Sequence, residues 1–278
     1  MIRLYAVEDG LVLERDGRFA RAEPGFSLDG LFSADDPVAA AHAAFAGGSP
    51  ARKPEPASLR APVQSQEVWG AGVTYERSRI ARMSESRHAG GDDFYERVYD
   101  AERPELFFKS SAHRVAAPGT PLRIRGDSRW TVPEPELTLA IDSRGRVFGY
   151  TIGNDMSARD IEGENPLYLP QAKVYRRNVS IGPCVVVSAR PPEPATAIRM
   201  EVMRAGACVF AGETTVGRIR RPLESLAAWL FREDSFPDGC YLMTGTGIVP
   251  PDAFALQPGD EVRITVDPIG TLVNPIES

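Results

Sequence analysis

The chain has 278 residues, 42% of them hydrophobic, with a net charge of −6 and an isoelectric point near 5.3. Its basic residues are scattered rather than clustered, which argues against a nucleic-acid or anionic-membrane partner. No window approaches the roughly eighteen uninterrupted apolar residues of a membrane-spanning helix, and the length suits one large core or one core with a small satellite domain.

Residues 1–5 run directly into strand-like sequence without the apolar core of a signal peptide, so a cytoplasmic protein is expected. Residues 2–7 and 11–14 read as paired strands, with a further turn at Asp16-Gly17. Asp35-Asp36-Pro37 predicts a capped helix over residues 38–46, because an Asp oxygen takes up free backbone N–H groups and proline is preset for a first turn. Gly47-Gly48-Ser49-Pro50 and Lys53-Pro54-Glu55-Pro56 mark a connector, so a small N-terminal α+β domain is expected over residues 1–60 and a larger domain over 61–278. Beyond it, an apolar strand from Val68 enters Gly70-Ala71-Gly72, where missing side chains permit close approach of a ligand, and a charged helical segment follows through Met83. Residues 84–93 are polar, include Gly90-Gly91, and read as a mobile lid ahead of a turn at residues 94–99. Residues 103–109 read as a strand that places Glu105, Phe107 and Lys109 on one face.

The next stretch carries the chemistry. Glu134 and Glu136 stand two apart in an extended run held straight by Pro133 and Pro135, so their side chains leave the same face. Residues 137–141 and 147–152 read as strands around the turn Asp142-Ser143-Arg144-Gly145. Glu134 lies ten positions before Arg144 and Asp155 eleven after it, so antiparallel pairing returns Asp155 to the two glutamates. Three converging carboxylates call for a cation, and an all-oxygen set suits Mg²⁺, Mn²⁺ or Ca²⁺ rather than Zn²⁺. Histidine is scarce: His42, His88 and His113 have no metal-ligand spacing, which leaves a Ser-His-Asp or His-rich zinc site little to draw on.

Residues 162–170 are irregular. Short strands then alternate at 184–188, 198–204 and 207–212, and one helix intervenes with Leu223, Leu226, Ala227 and Leu230 as its apolar stripe. A final strand is expected over residues 261–266. Cys184, Cys208 and Cys240 lie in apolar surroundings without a Cys-x-x-Cys arrangement and read as buried thiols. Many turns, short strands and few helices predict a β-rich α+β protein.

The run P-E-P-E-L at residues 133–137, G-Y-T-I-G-N-D-M-S-A-R-D at 149–160, Gln171-Ala172-Lys173 and Ile181-Gly182-Pro183 resemble the fumarylacetoacetate hydrolase superfamily, over most of residues 65–275. The resemblance implies a mixed β-sandwich or roll over residues 61–278 as the catalytic domain, with Glu134, Glu136 and Asp155 holding the metal and Lys173 beside it. It also implies that Thr246 binds the substrate carboxylate and that the chain assembles as a homodimer or homotetramer, while Tyr75 and Arg79, near the expected lid, are expected to contact substrate. Arg159 and Asp160 are expected to pair with each other and orient the metal loop.

Two departures from the family's hydrolases bear on the reaction. Those hydrolases carry Asn-Tyr-x-x-His and a glutamate three residues further on, whereas Thr74-Tyr75-Glu76-Arg77-Ser78 and Ala81 stand here. Glu105 also replaces a residue that is usually apolar in them. With these departures, the runs at residues 68–72, 103–109 and 165–173 resemble the family's sugar-acid dehydratases, and that resemblance implies a metal-dependent dehydratase of a 2-keto-3-deoxy sugar acid of the arabinonate type, giving 2,5-dioxopentanoate, with Glu105 and Lys173 moving the protons. Hydrolysis of an acylpyruvate or another 2,4-diketo acid is the alternative, and a non-catalytic sugar-acid-binding protein is a second.

Overall fold

The computed structural model describes residues 1–86 and 92–278. It opens on a meander, β1 (Ile2–Val7), β2 (Gly10–Arg15) and β3 (Arg18–Arg21). Asp16 and Gly17 both take positive φ, 53° and 76°, the geometry that lets a two-residue turn follow the strand twist. Two helices follow. In α1 (Leu28–Ser33) the Ser27 hydroxyl accepts from the Gly30 N–H, and in α2 (Pro37–Gly47) the Asp36 carboxylate accepts from Ala39 N–H at 2.9 Å. Each satisfies a backbone donor that the helix cannot. β4 (Ser49–Ala51) arises from the expected connector and pairs with β3.

The remaining elements run β5 (Glu67–Gly72), α3 (Glu76–Ser86), α4 (Asp92–Asp100), β6 (Glu105–Ser110), β7 (Val115–Ala116), β8 (Leu122–Arg123), β9 (Thr131–Ile141) and β10 (Val147–Ala158). After these come α5 (Arg159–Glu164), α6 (Leu169–Lys173), β11 (Val179–Val187), β12 (Ala197–Arg204), β13 (Ala207–Thr215), α7 (Leu223–Leu230), β14 (Cys240–Met243), β15 (Glu261–Val266) and β16 (Gly270–Glu277). Eleven strands form one mixed sheet in the order β4-β3-β2-β1-β11-β10-β9-β14-β5-β6, with β7 on β11; five form a second, β13-β12-β15-β16-β8. Because β1 pairs with β11, the first sixty residues extend the same sheet that carries the β9–β10 hairpin.

One face of that hairpin sends Leu137, Leu139, Ile141, Tyr150 and Ile152 into a core shared with Ile198, Met200, Val262 and Ile264 of the second sheet. The opposite face is covered near the N-terminal strands, where Phe32 of α1 packs edge-on against Phe148 and Tyr241 at 4.8 and 5.2 Å. Further along this second face, apolar cover gives way to acidic side chains.

Four expectations change. Residues 94–99 lie in a helix, α4, rather than a turn; Arg221 donates to the carbonyls of Val98 and Ala101 at its end, at 2.8 and 2.6 Å. Of the expected lid, residues 87–91 lie outside the described residues, while 84–86 finish α3 and 92–93 begin α4. The last strand is β16, not β15: Pro268 and Pro275 look like strand breakers, yet Leu272, Asn274 and Ile276 alternate inward and Pro275 pairs with Glu261. Cys208 is exposed on β13, the outermost strand of the smaller sheet, whereas Cys184 and Cys240 are buried. Among the described residues no helix is long and apolar enough to cross a membrane.

Candidate active site

The β9–β10 register places Asp155 directly opposite Glu134, and Gly153 opposite Glu136. β14 pairs only with residues 138–141 of β9, so Pro133 and Pro135 lie beyond that ladder, where a missing N–H costs no hydrogen bond. A Cβ on Gly153 would lie 2.5 Å from both Met243 Cε and Thr138 Oγ1, which is why glycine faces Glu136 there. One carboxylate oxygen from each of Glu134, Glu136 and Asp155 lies within 4.8 Å of the others, and all three residues are buried. The convergence expected from the spacing around Arg144 is therefore present.

Cations crowd this cluster from four elements. At the last position of α6, Lys173 Nζ donates to Glu134 Oε2 at 2.5 Å and to Asp155 Oδ2 at 2.9 Å. Arg159, at the start of α5, donates to Glu134 Oε1 at 2.6 Å, and Arg82 of α3 reaches the same oxygen at 3.3 Å. Lys109, fully buried on β6, sits 2.5 Å from Asp155 Oδ1 and donates to the carbonyls of Met156 (2.9 Å) and Lys173 (2.8 Å). It thereby ties a β10 carboxylate to the end of α6.

These partners sort the protonation states. Burial alone would raise the Glu134 pKa, but Lys173, Arg159 and Arg82 outweigh it and hold the carboxyl well below its ordinary range. Glu136 has the opposite fate: burial, with Asp155 and Glu134 beside it, drives its pKa well above 4.5, and its Oε2 accepts one hydrogen bond, from Gly245 N–H at 2.5 Å. Among the described residues no lysine or arginine forms an ion pair with Glu136. For Lys173, burial lowers the pKa but Asp155, Glu134 and Glu162 raise it further, so it stays an ammonium. Burial pushes the Glu105 carboxyl up, against the pull of Arg82.

Glu105 reaches the cluster from β6. It pairs with Gly72 of β5, and its carboxyl end lies where a Gly72 side chain would be, so the glycine is required for that position. Gly70 makes the same room for the Phe107 ring, over which the Lys173 ammonium sits at 5.5 Å. Glu105, Glu134, Glu136, Glu162, Lys173 and Thr246 all line one small, partly open cavity. A larger cleft of about 760 Å³, lined by Tyr75, Tyr99, Phe210 and Ile248, lies alongside; of the two, the small cavity is the candidate reaction site, because among the described residues its lining packs buried ionisable groups against one another. Gly72→Ala is expected to leave metal affinity unchanged and to lower kcat by about 10–100-fold by displacing Glu105, as steady-state kinetics beside a metal titration will show.

The other expected contacts divide. Thr246 lines the cavity, its Oγ1 accepting from Ile248 N–H at 3.2 Å. Tyr75 is buried at the edge of the cleft with its hydroxyl unpartnered, and burial together with the Glu136 charge pushes its pKa up. Arg79 lines neither space; its guanidinium lies over the Tyr99 ring at 5.4 Å. Sequence reasoning passed over Arg82, Lys109 and Glu162 as site residues and paired Arg159 with Asp160. Instead Arg159 takes Glu134, and Asp160 accepts from Ser128 Oγ and Arg129 N–H, both at 2.7 Å.

The residues fit a hard divalent ion. Among the described residues the cluster holds five carboxyl groups (Glu105, Glu134, Glu136, Asp155, Glu162) against four cations (Arg82, Lys109, Arg159, Lys173), and the carboxyl with the most strongly raised pKa, Glu136, belongs to the converging triad. An all-oxygen donor set of that kind matches Mg²⁺, Mn²⁺ or Ca²⁺.

A model of the family described as fumarylacetoacetate (FAA) hydrolase C-terminal matches residues 68–277. A probable 2-keto-3-deoxyxylonate dehydratase of Haloferax volcanii is 46% identical over 216 residues, 77% of this chain and 73% of that protein. The 2-dehydro-3-deoxy-D-arabinonate dehydratase of Saccharolobus solfataricus is 44% identical over 219 residues, 78% and 73% of the two chains. A solved structure of 2-keto-3-deoxy-D-arabinonate dehydratase, complexed with magnesium and 2,5-dioxopentanoate, superposes with a TM-score of 0.80 at 32% identity, covering 99% of this chain and 98% of that one.

Proposed function

The chain belongs to the fumarylacetoacetate hydrolase family, and from that premise we propose that it is a hydro-lyase that dehydrates 2-keto-3-deoxy pentonates, arabinonate or xylonate, to 2,5-dioxopentanoate. The observation that carries this reading is that Glu105 and Lys173 line the same cavity as Glu134 and Glu136, two of the three converging carboxylates, and that Lys173 also donates to the third, Asp155. Mg²⁺ is the ion proposed for those three carboxylates; bound there, it supplies Lewis-acid stabilisation of an enolate.

The remaining steps fall to side chains. Thr246 holds the substrate carboxylate, and Tyr75, with an unpartnered hydroxyl, donates to the α-oxo acid head. Lys173 is an ammonium in the resting site, held by Glu134 and Asp155, so it steadies the developing charge and is the donor at hand for the departing C4 hydroxyl. Glu105 removes the C3 proton, since a carboxylate whose pKa burial has raised is a stronger base than an exposed one. Loss of water across C3 and C4 leaves an unsaturated alcohol that tautomerises to the C5 aldehyde.

Hydrolysis of a 2,4-diketo acid lacks its base: Ser78 and Ala81 occupy the positions of the water-activating pair, and the Ser78 hydroxyl is engaged with the Tyr75 carbonyl at 2.8 Å. With Mg²⁺ present, 2-keto-3-deoxyarabinonate is expected to yield 2,5-dioxopentanoate, and an acylpyruvate to remain intact. Pyruvate released from the acylpyruvate, with no dioxopentanoate from the sugar acid, reverses the conclusion.

A further inference from the structure

Two side chains that line the reaction cavity have no part in the chemistry above, Arg82 of α3 and Glu162 of α5. They are 8% and 2% exposed, and their charged ends are paired with each other. Arg82 also touches Glu134 Oε1 at 3.3 Å, which fixes the pair one side chain away from the converging carboxylates. A buried ion pair adds little stability once dehydration is counted, and apolar side chains of similar volume would join α3 to α5 as well. What this pair supplies, and apolar groups lack, is a donor and an acceptor side by side on the cavity wall.

We propose that Arg82 and Glu162 read the far end of the substrate and select a hydroxyl at C5, a proposal that rests on the dehydratase reading. Glu134, Glu136, Thr246, Lys173 and Glu105 are committed to the acid head and C3, so the polar lining left for C5 is Arg82, Glu162 and Ser78. Ser78 is occupied by the Tyr75 carbonyl. A hydroxyl is donor and acceptor at once: it donates to the Glu162 carboxylate and accepts from the Arg82 guanidinium. A methyl group at C5 strips water from both charges and returns no hydrogen bond, and a carboxylate there is repelled by Glu162.

The test compares three substrates that share C1 to C4 and the C4 configuration: 2-keto-3-deoxyarabinonate with a C5 hydroxyl, 4-hydroxy-2-oxopentanoate with a C5 methyl, and 4-hydroxy-2-oxoglutarate with a C5 carboxylate. For the unaltered protein, kcat/KM is expected to favour the first by about 100-fold or more over the others. Glu162→Gln removes the repelling charge, so the preference over the C5 carboxylate is expected to shrink to about tenfold or less. Glu162→Asp keeps the charge and is expected to retain that preference. An equal loss on all three substrates in Glu162→Gln overturns the proposal, because a Glu162 that merely holds α5 in place treats them alike. Should Glu162→Gln fail to fold, Arg82→Lys decides through the hydroxyl-to-methyl ratio, which is expected to fall and whose constancy overturns the proposal. Turnover of none of the three by the unaltered protein overturns the dehydratase reading itself.

Discussion

Glu136→Gln is expected to make the metal-free protein more stable while abolishing most of its activity. The substitution keeps the shape and removes one negative charge from a buried site that already contains Glu134 and Asp155. Burial and those two carboxylates raise the Glu136 pKa above its ordinary 4.5 in the folded chain. A group whose pKa rises on folding binds protons more tightly in the native state, so its unfavourable contribution is absent below about pH 4.5, grows above that and is complete beyond the raised pKa. At neutral pH the variant should therefore unfold at higher temperature in the absence of metal. Metal affinity should fall by about 100-fold or more, and kcat/KM with it. A calorimetric titration with Mg²⁺ and thermal melts in chelator measure the two effects separately. A variant that binds Mg²⁺ as tightly as the parent removes Glu136 from the metal site.

The hairpin that underlies this expectation was legible because it depends on local rules. Turn chemistry around Arg144 fixes the register, the two-residue period fixes the face, and the two together bring Asp155 against Glu134. The compensating cations were harder to see. Lys109 could be placed on the face of Glu105 and Phe107, but its contacts with Asp155 and with the carbonyls of Met156 and Lys173 join segments 46 and 64 residues away in sequence, which no local period encodes. Arg82 sits in a helix whose polar composition resembles a solvated surface, and only the packing of α3 beside α5 buries it against Glu162. The C-terminal strand β16 was not expected: Pro275 is a poor strand former, and the strand's burial pattern is carried by Leu272, Asn274 and Ile276.

Glu105→Gln should separate chemistry from metal binding. Glu105 is absent from the converging triad, and its carboxyl reaches the cavity from another strand, over Gly72. The amide fills the same space, so Mg²⁺ affinity is expected to match the parent while kcat falls by about 10²–10⁴-fold, the usual worth of a positioned base. The pH profile adds a test that a change in packing would not meet. A base works ionised, so kcat/KM of the parent should rise with pH along a limb set by Glu105, and fall as the group takes up its proton. Burial, reinforced by Glu162 and Glu134 and opposed by Arg82 and Lys173, places that limb above the ordinary carboxylate range. The limb should vanish from the residual activity of Glu105→Gln and persist in Glu105→Asp, which keeps the charge on a shorter stem. A Glu105→Gln protein with undiminished turnover shows instead that Glu105 only fills the space above Gly72, and overturns its assignment as the base.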